Sequence, residues 1–130
     1  MTDPLAAIRP GMTGRHEVVV TPELTVGGHV KGMPLVYGTP MMIFLMEVAC
    51  GQSVSPHLPD GWVTVGTEVN VRHLAATPMG QHVRATAELI EIDGRRLVFN
   101  VEAYDEKRKI GEGQHERIIV NLERFIERIN

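Results

Sequence analysis

The feature that most constrains this chain is a ten-residue run, MMIFLMEVAC at positions 41–50, in which Glu47 is the only charged residue. Thr39 is a good helix N-cap, Pro40 suits the first helical position, and Pro56 limits the far end. Apolar residues occupy every side of the predicted helix except at Glu47, and a helix that is apolar all round is buried on most sides. The sequence therefore predicts one central helix wrapped by the rest of the domain.

A carboxylate inside such a run needs an explanation, because moving an isolated carboxylate out of water costs several kcal/mol or more. The helical neighbours of Glu47 one turn away are Ile43, Phe44, Cys50 and Gly51, and none of them can form an ion pair with it. Desolvation makes an ionised carboxylate a stronger base than an exposed one. Glu47 therefore either lies on a wetted stripe of the helix or takes part in chemistry.

The rest of the chain is typical of strands joined by tight turns. β-branched and alternating apolar residues predict strands at 15–21, 63–71, 82–92, 95–106 and 110–122, and a short closing helix at 123–129. Asp93-Gly94 predicts a type I′ hairpin turn, and the glycine-rich stretch 26–38 predicts a mobile loop or lid.

These elements predict a single α+β domain over residues 1–130, with one long central helix wrapped by a curved antiparallel sheet of about five strands. A sheet of this size leaves strand edges unpaired, and dimerisation is a common way to cover them.

A histidine and a glycine on the strand at 63–71 add to the candidate site. The alternation that aligns Val69 and Val71 places His73 on the same inward face, so Glu47 and His73 point into one apolar interior or face each other across a dimer. A lone inward histidine is, however, often satisfied by a backbone carbonyl. Thr39 adds a hydroxyl at a helix start, whose free N–H groups favour a developing anion. Gly66 has the opposite parity to His73 and indicates close approach of a ligand or another backbone.

Composition and motifs argue against several other classes of protein. A net charge of -3 without a basic block argues against nucleic acid as a partner, and the apolar run is too short to span a membrane. The single cysteine and the absence of a signal-peptide pattern lead us to expect a cytoplasmic protein. The six histidines lack metal-site spacing, and no nucleotide-binding glycine motif or GxSxG serine motif occurs, so no metal is expected.

Three blocks of the chain resemble the hotdog-fold thioesterases, most closely the fluoroacetyl-CoA thioesterase group. They are GTPMMIFLMEVAC, VGTEVNVRHLAATPMG and GRRLVFNVEAYDEKRKIGEGQHERIIVNLERF, and the similarity covers roughly residues 35 to 126. In that family a threonine at the helix start, a glutamate in the helix and a histidine on a strand form the catalytic set. The resemblance places these roles on Thr39, Glu47 and His73, a strand glycine of the site on Gly66, and a substrate-proximal arginine on Arg117.

The resemblance also implies a homodimer or dimer of dimers with sites at the subunit interface, and an acyl-CoA substrate. Coenzyme A then arrives as part of the substrate, and no separate cofactor is implied. The family lid carries phenylalanines just before the catalytic threonine. This chain instead has KGMPLVYG, in which Met33 and Val36 are the expected substrate contacts, and this difference argues against selectivity for a fluorinated acyl group.

The sequence thus predicts a thioesterase acting on a small acyl-CoA. Glu47 is the expected nucleophile or general base, His73 the proton-transfer partner, and Thr39 the residue at the oxyanion. Two alternatives stay open at this point: an enoyl-CoA hydratase of the same fold, and a non-catalytic acyl-CoA-binding domain.

Overall fold

The computed structural model describes residues 3–130 as five strands, two helices and two short 3-10 turns. In chain order the elements are β1 (Thr13–Val19), α1 (Thr39–Val54), β2 (Trp62–His73), β3 (His82–Asp93), β4 (Arg96–Tyr104), β5 (Lys109–Asn121) and α2 (Leu122–Ile129), with the 3-10 turns at Pro22–Leu24 and Ser55–His57. Every predicted element is present, with ends that differ from the prediction by a few residues.

The five strands form one curled antiparallel sheet in the order β1-β3-β4-β5-β2, with α1 against its concave face. The α+β prediction of a central helix and a five-stranded sheet is confirmed. α1 packs mainly against β1 and β3, and it has much less contact with β2 and β5. The concave side of β2 and β5 is therefore the part of the sheet that the chain's own helix covers least.

The core forms between one face of α1 and the inward rows of β3 and β4. Both strand rows were predicted from alternation, and their members are buried: Val83, Ala85, Ala87 and Leu89 on β3, and Leu97, Phe99, Val101 and Ala103 on β4. The helix contributes Met42, Leu45, Met46, Ala49, Cys50 and Val54. Their spacing of three and four residues defines a single helical face, as expected for a helix packed on a sheet.

The prediction that α1 is buried on most sides is wrong for the isolated chain. Phe44 is 67% exposed, and Glu47 and Val48 are half-buried. Phe44 lies on the side of α1 opposite the core, and Glu47 and Val48 lie between that side and the edge where β2 and β5 approach the helix. An apolar helix face with one carboxylate is thus left open beside the concave surface of β2 and β5.

The predicted N-cap role of Thr39 is also wrong. Gly38 is the N-cap residue, Thr39 is the first residue of α1, and Pro40 follows it. The amide of Met42 donates to the carbonyl of Gly38, so the first turn closes without a side-chain cap. The hydroxyl of Thr39 is consequently free for a contact outside the helix.

A β-bulge changes which residues of β2 face the helix. The pairing of β2 with β5 slips between Gly66 and Glu68, so Thr67 is an extra residue and the alternation reverses there. Gly66 faces α1 before the bulge, and His73 faces α1 after it. The prediction that Gly66 and His73 point to opposite faces of the sheet is therefore wrong. Their positions have opposite parity in the sequence, but the bulge turns both residues toward α1.

The turn between β3 and β4 differs from the predicted type. The closing pair is Asp93 with Arg96, so the two-residue loop is Gly94-Arg95. Gly94 has φ +60, and no non-glycine residue in the described part of the chain has a positive φ. A type I′ turn needs a positive φ at both central residues, whereas one glycine at the first position is the type II′ pattern.

The glycine-rich segment before α1 is held at both ends by backbone hydrogen bonds. Val26 donates to Val36 at 3.0 Å, and Tyr37 donates to the carbonyl of Thr77 at 2.8 Å. Thr77 is fully buried, and its hydroxyl donates to Asp105 at 2.8 Å. The Ala-Thr-Pro segment centred on Thr77, in the connection between β2 and β3, therefore fixes the chain just before Thr39.

No helix in residues 3–130 has the length and apolar character needed to cross a membrane.

Gly14 sets how closely β1 approaches α1. A Cβ atom at this position would collide with the carbonyl oxygen of Ala49 and lie 2.7 Å from the amide nitrogen of Ser53, both on the α1 backbone. Because backbone atoms of a packed helix cannot move aside, we expect Gly14→Ala to lower the free energy of unfolding by about 2 kcal/mol or more. Urea unfolding measures this change. Thr13→Ala, at an exposed position of the same strand, is the control and should shift stability by less than about 0.5 kcal/mol; equal effects of the two substitutions would contradict the packing argument.

Candidate active site

The first polar pair lies where α1 begins and β2 ends. Oγ1 of Thr39 is 2.8 Å from Nδ1 of His73. The amide of Leu74 donates to Ile110 at 2.7 Å, which fixes the end of β2 in this position. Val36 and Leu74 line the open depression of ≈ 360 Å³ around the pair. A hydroxyl and an imidazole are thus brought together at the positive end of a helix dipole.

The imidazole of His73 is held in its neutral form. Burial is the largest cause lowering the pKa of His73, and the nearby backbone at Ala75 opposes it only in part. Its Nε2 atom is buried and has no hydrogen-bond partner in the described residues. A buried nitrogen without a partner disfavours the charged ring, because imidazolium needs acceptors at both nitrogens.

The second polar cluster lies about two turns further along α1, where Arg117 reaches from β5. Nη1 of Arg117 donates to Oε2 of Glu47 at 3.2 Å. Its other two nitrogen atoms hold Thr64 on β2, with Nε donating to Oγ1 at 2.8 Å and Nη2 to the carbonyl oxygen at 2.9 Å. The Arg117 side chain is 12% exposed and that of Glu47 is 34% exposed. The helix supplies no partner for Glu47, as its helical neighbours indicate, but β5 does.

Glycine at position 66 leaves room for this cluster. A Cβ atom there would lie 3.0 Å from Oε2 of Glu47 and 3.1 Å from Cε1 of His115. Both contacts are tighter than ordinary van der Waals distances. Gly66 does accommodate a close approach, but the approaching groups are the Glu47 and His115 side chains, whereas the sequence indicated a ligand or another backbone.

His115 belongs to this cluster and was not among the predicted site residues. It is 3% exposed, and its Nδ1 is 2.8 Å from the carbonyl oxygen of Glu68 at the bulge. Its Nε2 is 3.1 Å from Nη1 of Arg117 and 3.8 Å from Oε2 of Glu47. Positions 115 and 117 share a face of β5, so alternation from Arg117 was the sequence signal that could have identified His115.

The two polar clusters are separate within one chain. Thr39 and Glu47 are eight residues apart on α1, which corresponds to about 12 Å along the helix axis. The sequence left two alternatives for Glu47 and His73. The first, that both point into one interior of the same chain, is wrong; the second, that they face each other across a dimer, stays a prediction.

The two predicted substrate contacts before α1 lie in different settings. Val36 is half-buried and lines the depression beside Thr39 and His73. Met33 is 49% exposed and does not line that depression.

Comparison with known proteins connects this geometry to a family. A family model described as fluoroacetyl-CoA-specific thioesterase matches residues 20–123. The fluoroacetyl-CoA thioesterase of Streptantibioticus cattleyicolor is 40% identical over 124 residues, covering 91% of this chain and 89% of the relative. The chain belongs to the fluoroacetyl-CoA-specific thioesterase family. The resemblance found in the sequence is confirmed.

Solved structures support the same family and fold. A fluoroacetyl-CoA thioesterase superposes with a TM-score of 0.88 at 39% identity, covering 94% of this chain and 95% of that one. A thioesterase superfamily member from Thermus thermophilus gives a TM-score of 0.85 at 34% identity, covering 95% and 94%. A hotdog-like protein from Thermanaerovibrio acidaminovorans, at 24% identity, matches with a TM-score of 0.87 over 98% and 95% of the two chains. The hotdog fold is therefore confirmed for this family member.

The imidazoles of His73, which is half-buried, and His115, which is buried, make stability depend on pH. Burial is the largest cause lowering the pKa of both His73 and His115 below the ordinary value of 6.5. Just below pH 6.5 the unfolded chain binds more protons than the folded one, so the free energy of unfolding should fall as the pH drops through this region. Urea unfolding at a series of pH values from about 7.5 down to 5 measures the slope.

Replacing one of these histidines should reduce the slope of the free energy of unfolding against pH. His115→Gln eliminates one titrating group and should make stability less dependent on pH in this range, whereas His57→Gln, at an exposed site, should leave the slope unchanged. A wild-type stability that stays constant or rises on acidification would contradict neutral burial of the two rings.

Proposed function

We propose that this chain is an acyl-CoA thioesterase that hydrolyses a small acyl-CoA to the free acid and coenzyme A, in an active site formed by two copies of the chain. The observation that carries the proposal is the division of the site into two polar halves on one open helix face. One half is Thr39 with His73, and the other is Glu47 with Arg117. Membership of a thioesterase family supplies the reaction class.

The open surfaces of the chain support a two-fold dimer. β2 is an edge strand, Val69 on it is 45% exposed, and Phe44 beside Glu47 is 67% exposed. Antiparallel pairing of β2 with a second copy about a two-fold axis covers the strand edge and the apolar helix face together. Because such pairing reverses the strand direction, the end of β2 that carries His73 lies beside the first half of the partner's β2, the half that contains Gly66. The Thr39–His73 half of one protomer then faces the Glu47–Arg117 half of the other.

The helix start and Thr39 stabilise the oxyanion in this arrangement. The thioester carbonyl lies at the first turn of α1, where backbone N–H groups and the positive helix end favour negative charge. When Nδ1–H of His73 donates to Oγ1 of Thr39, the hydroxyl proton of Thr39 is free to donate to the developing oxyanion. The contact at 2.8 Å also provides a path for a proton between the two groups.

Glu47 supplies the base or nucleophile. Arg117 uses Oε2, which leaves Oε1 of the carboxylate for reaction. As a general base, Glu47 takes a proton from water while the water oxygen bonds to the carbonyl carbon. The oxyanion then collapses, the carbon–sulfur bond breaks, and the sulfur leaves with the bonding electrons and takes the proton, with His73 as relay. As a nucleophile, Glu47 expels the thiolate first and forms a mixed anhydride, which water hydrolyses.

The segment before α1 bears on the acyl group. Val36 is the half-buried apolar side chain beside Thr39, so it is placed to contact a short acyl chain whose carbonyl lies at the helix start. Met33 is exposed and contacts substrate only if its loop closes over the site. A related fluoroacetyl-CoA thioesterase has been solved with fluoroacetate and CoA, at a TM-score of 0.82 and 40% identity, covering 91% of this chain and 99% of that one. Comparing thiol release from acetyl-, propionyl-, butyryl- and fluoroacetyl-CoA would identify the preferred acyl group.

Removing the carboxylate tests the catalytic assignment. Gln keeps the shape of the Glu47 side chain and its acceptor for Arg117 but can neither take a proton nor attack carbon, so Glu47→Gln should lower kcat by about 100- to 10,000-fold. Thiol release from acetyl-CoA measures the loss. Glu88→Gln, an exposed position on β3, should stay at the wild-type rate. Full activity of Glu47→Gln would exclude the role, and loss of the enoyl absorbance of crotonyl-CoA without thiol release would indicate a hydratase.

Complementation tests the shared site. Glu47→Gln and His73→Ala should each be nearly inactive alone, because each damages both sites of its own dimer. Mixed dimers keep one intact site, so co-refolding equal amounts of the two variants should restore about a quarter of the wild-type activity. Capture through a tag on one variant shows whether mixed dimers have formed. Mixed dimers without activity would show that both halves must come from the same chain.

A further inference from the structure

The surroundings of His115 distinguish it from an ordinary core histidine. Both of its ring nitrogens are within hydrogen-bond distance of polar atoms, the carbonyl of Glu68 on one side and the guanidinium of Arg117 on the other. The ring also lies against the space left by Gly66. It thus occupies the position between the β2 bulge and the ion pair of Arg117 with Glu47.

The partners determine which nitrogen carries the proton. A carbonyl oxygen only accepts hydrogen bonds, so Nδ1 must donate to Glu68. A guanidinium only donates, so Nε2 must accept from Arg117 with its lone pair. Only the neutral ring with hydrogen on Nδ1 satisfies both contacts, and a charged ring would place a donor against the Arg117 guanidinium.

We propose that His115 is a positioning residue, whose neutral Nδ1–H form holds the Arg117 guanidinium and thereby keeps the Glu47 carboxylate in its reacting orientation. The inference rests on the proposed function and extends it to a residue that does not touch the substrate. Arg117 is then fixed from two sides, by Thr64 on β2 and by His115 on its own strand. Protonation of His115 removes the acceptor, sets two positive charges beside each other, and releases the guanidinium from this position.

The charged and titratable groups that face the ring are consistent with its neutral state. They are Arg117 on β5 and Glu47 on α1, and the β2 backbone contributes only the Glu68 carbonyl. Burial is the largest cause lowering the pKa of His115, and the nearby Arg117 charge acts in the same direction, while the hydrogen bond to Glu68 and the Glu47 charge oppose the shift without reversing it. The Cys50 thiol close to this pair is neutral, because burial raises its pKa to about 12.

Two substitutions separate the two contacts of the ring. His115→Asn places an amide nitrogen near the position of Nδ1, so it can still donate to Glu68 but offers Arg117 no acceptor. His115→Gln places an amide oxygen near the position of Nε2, so it keeps the acceptor for Arg117 and loses the contact with Glu68. Because small misplacement of a catalytic group is costly, kcat should fall by about 10- to 100-fold in His115→Asn. His115→Gln should retain clearly more activity, and KM should change little in either variant.

The outcomes separate positioning from packing. Equal losses of kcat in the Asn and Gln variants, or no loss in His115→Asn, would overturn the positioning role of His115. The proposed function is tested separately, and it stands if the wild-type protein hydrolyses acetyl-, propionyl- or butyryl-CoA. Urea unfolding of both variants, with His57→Gln as the matched control at an exposed histidine, shows whether the fold is retained.

A measurement on the wild-type protein tests the inference without relying on activity or on a variant that folds. The ¹⁵N chemical shifts of the imidazole report which ring nitrogen carries hydrogen. His115 should be neutral at pH 7 with hydrogen on Nδ1, and an ¹H–¹⁵N spectrum of the guanidinium should show Arg117 losing its fixed environment as His115 protonates on acidification. A ring with hydrogen on Nε2, or a charged ring at pH 7, would overturn the proposal even if the enzyme hydrolyses acyl-CoA.

Discussion

The arrangement of the site depends on the Arg117 guanidinium, which joins the open face of α1 to the edge strand β2. One side chain donates to the Glu47 carboxylate on the helix and to both the hydroxyl and the carbonyl of Thr64 on the strand. Arginine suits this role because its donors are fixed in a planar fork and its charge does not titrate. The helix itself offers Glu47 no partner. Without Arg117 the Glu47 carboxylate would therefore be unpaired, and removing an unpaired carboxylate from water in an interface is costly. The guanidinium allows an otherwise apolar helix face to carry a charged carboxylate.

The bulge at Thr67 explains how one strand serves both halves of the site. Residues on a regular strand alternate between faces, and Gly66 and His73 are seven positions apart, so a regular strand would turn one of them away from the helix. The extra residue reverses the alternation, and both then face α1. The same irregularity turns the Glu68 carbonyl toward Nδ1 of His115. A local break in the ladder thus provides the space beside Glu47, the acceptor for His115 and the orientation of His73.

Regular features of the fold could be predicted from the sequence, and features that depend on contacts distant along the chain could not. The inward rows of β3 and β4 follow from alternation, and the start of α1 follows to within one residue from the threonine and proline before the apolar run. The mid-strand glycine Gly66 is compatible with a bulge as well as with a close approach, and VTVGTEVNV alternates by residue type even where the backbone does not, so the strand alone could not identify the bulge at Thr67. The ion pair of Glu47 with Arg117 joins residues 70 positions apart, so helical neighbours could not reveal it. Glu47, His73, Thr39, Gly66 and Arg117 were all selected from sequence, but their division into two clusters required the sheet order.

In the proposed function, dividing the site in this way connects catalysis to association. Within one chain the acid group and the imidazole at the helix start are separated by the length of the helix between them, and the surface between them is apolar and open. If a second copy covers that surface, the same contact that buries Phe44 and completes the edge of β2 also brings Glu47 opposite Thr39 and His73. An unassembled chain then holds its carboxylate in an ion pair facing water and its imidazole neutral beside a hydroxyl, and neither half alone has the groups for thioester hydrolysis. Burial of apolar surface supplies the driving force for pairing, and the polar groups determine what the paired surface does.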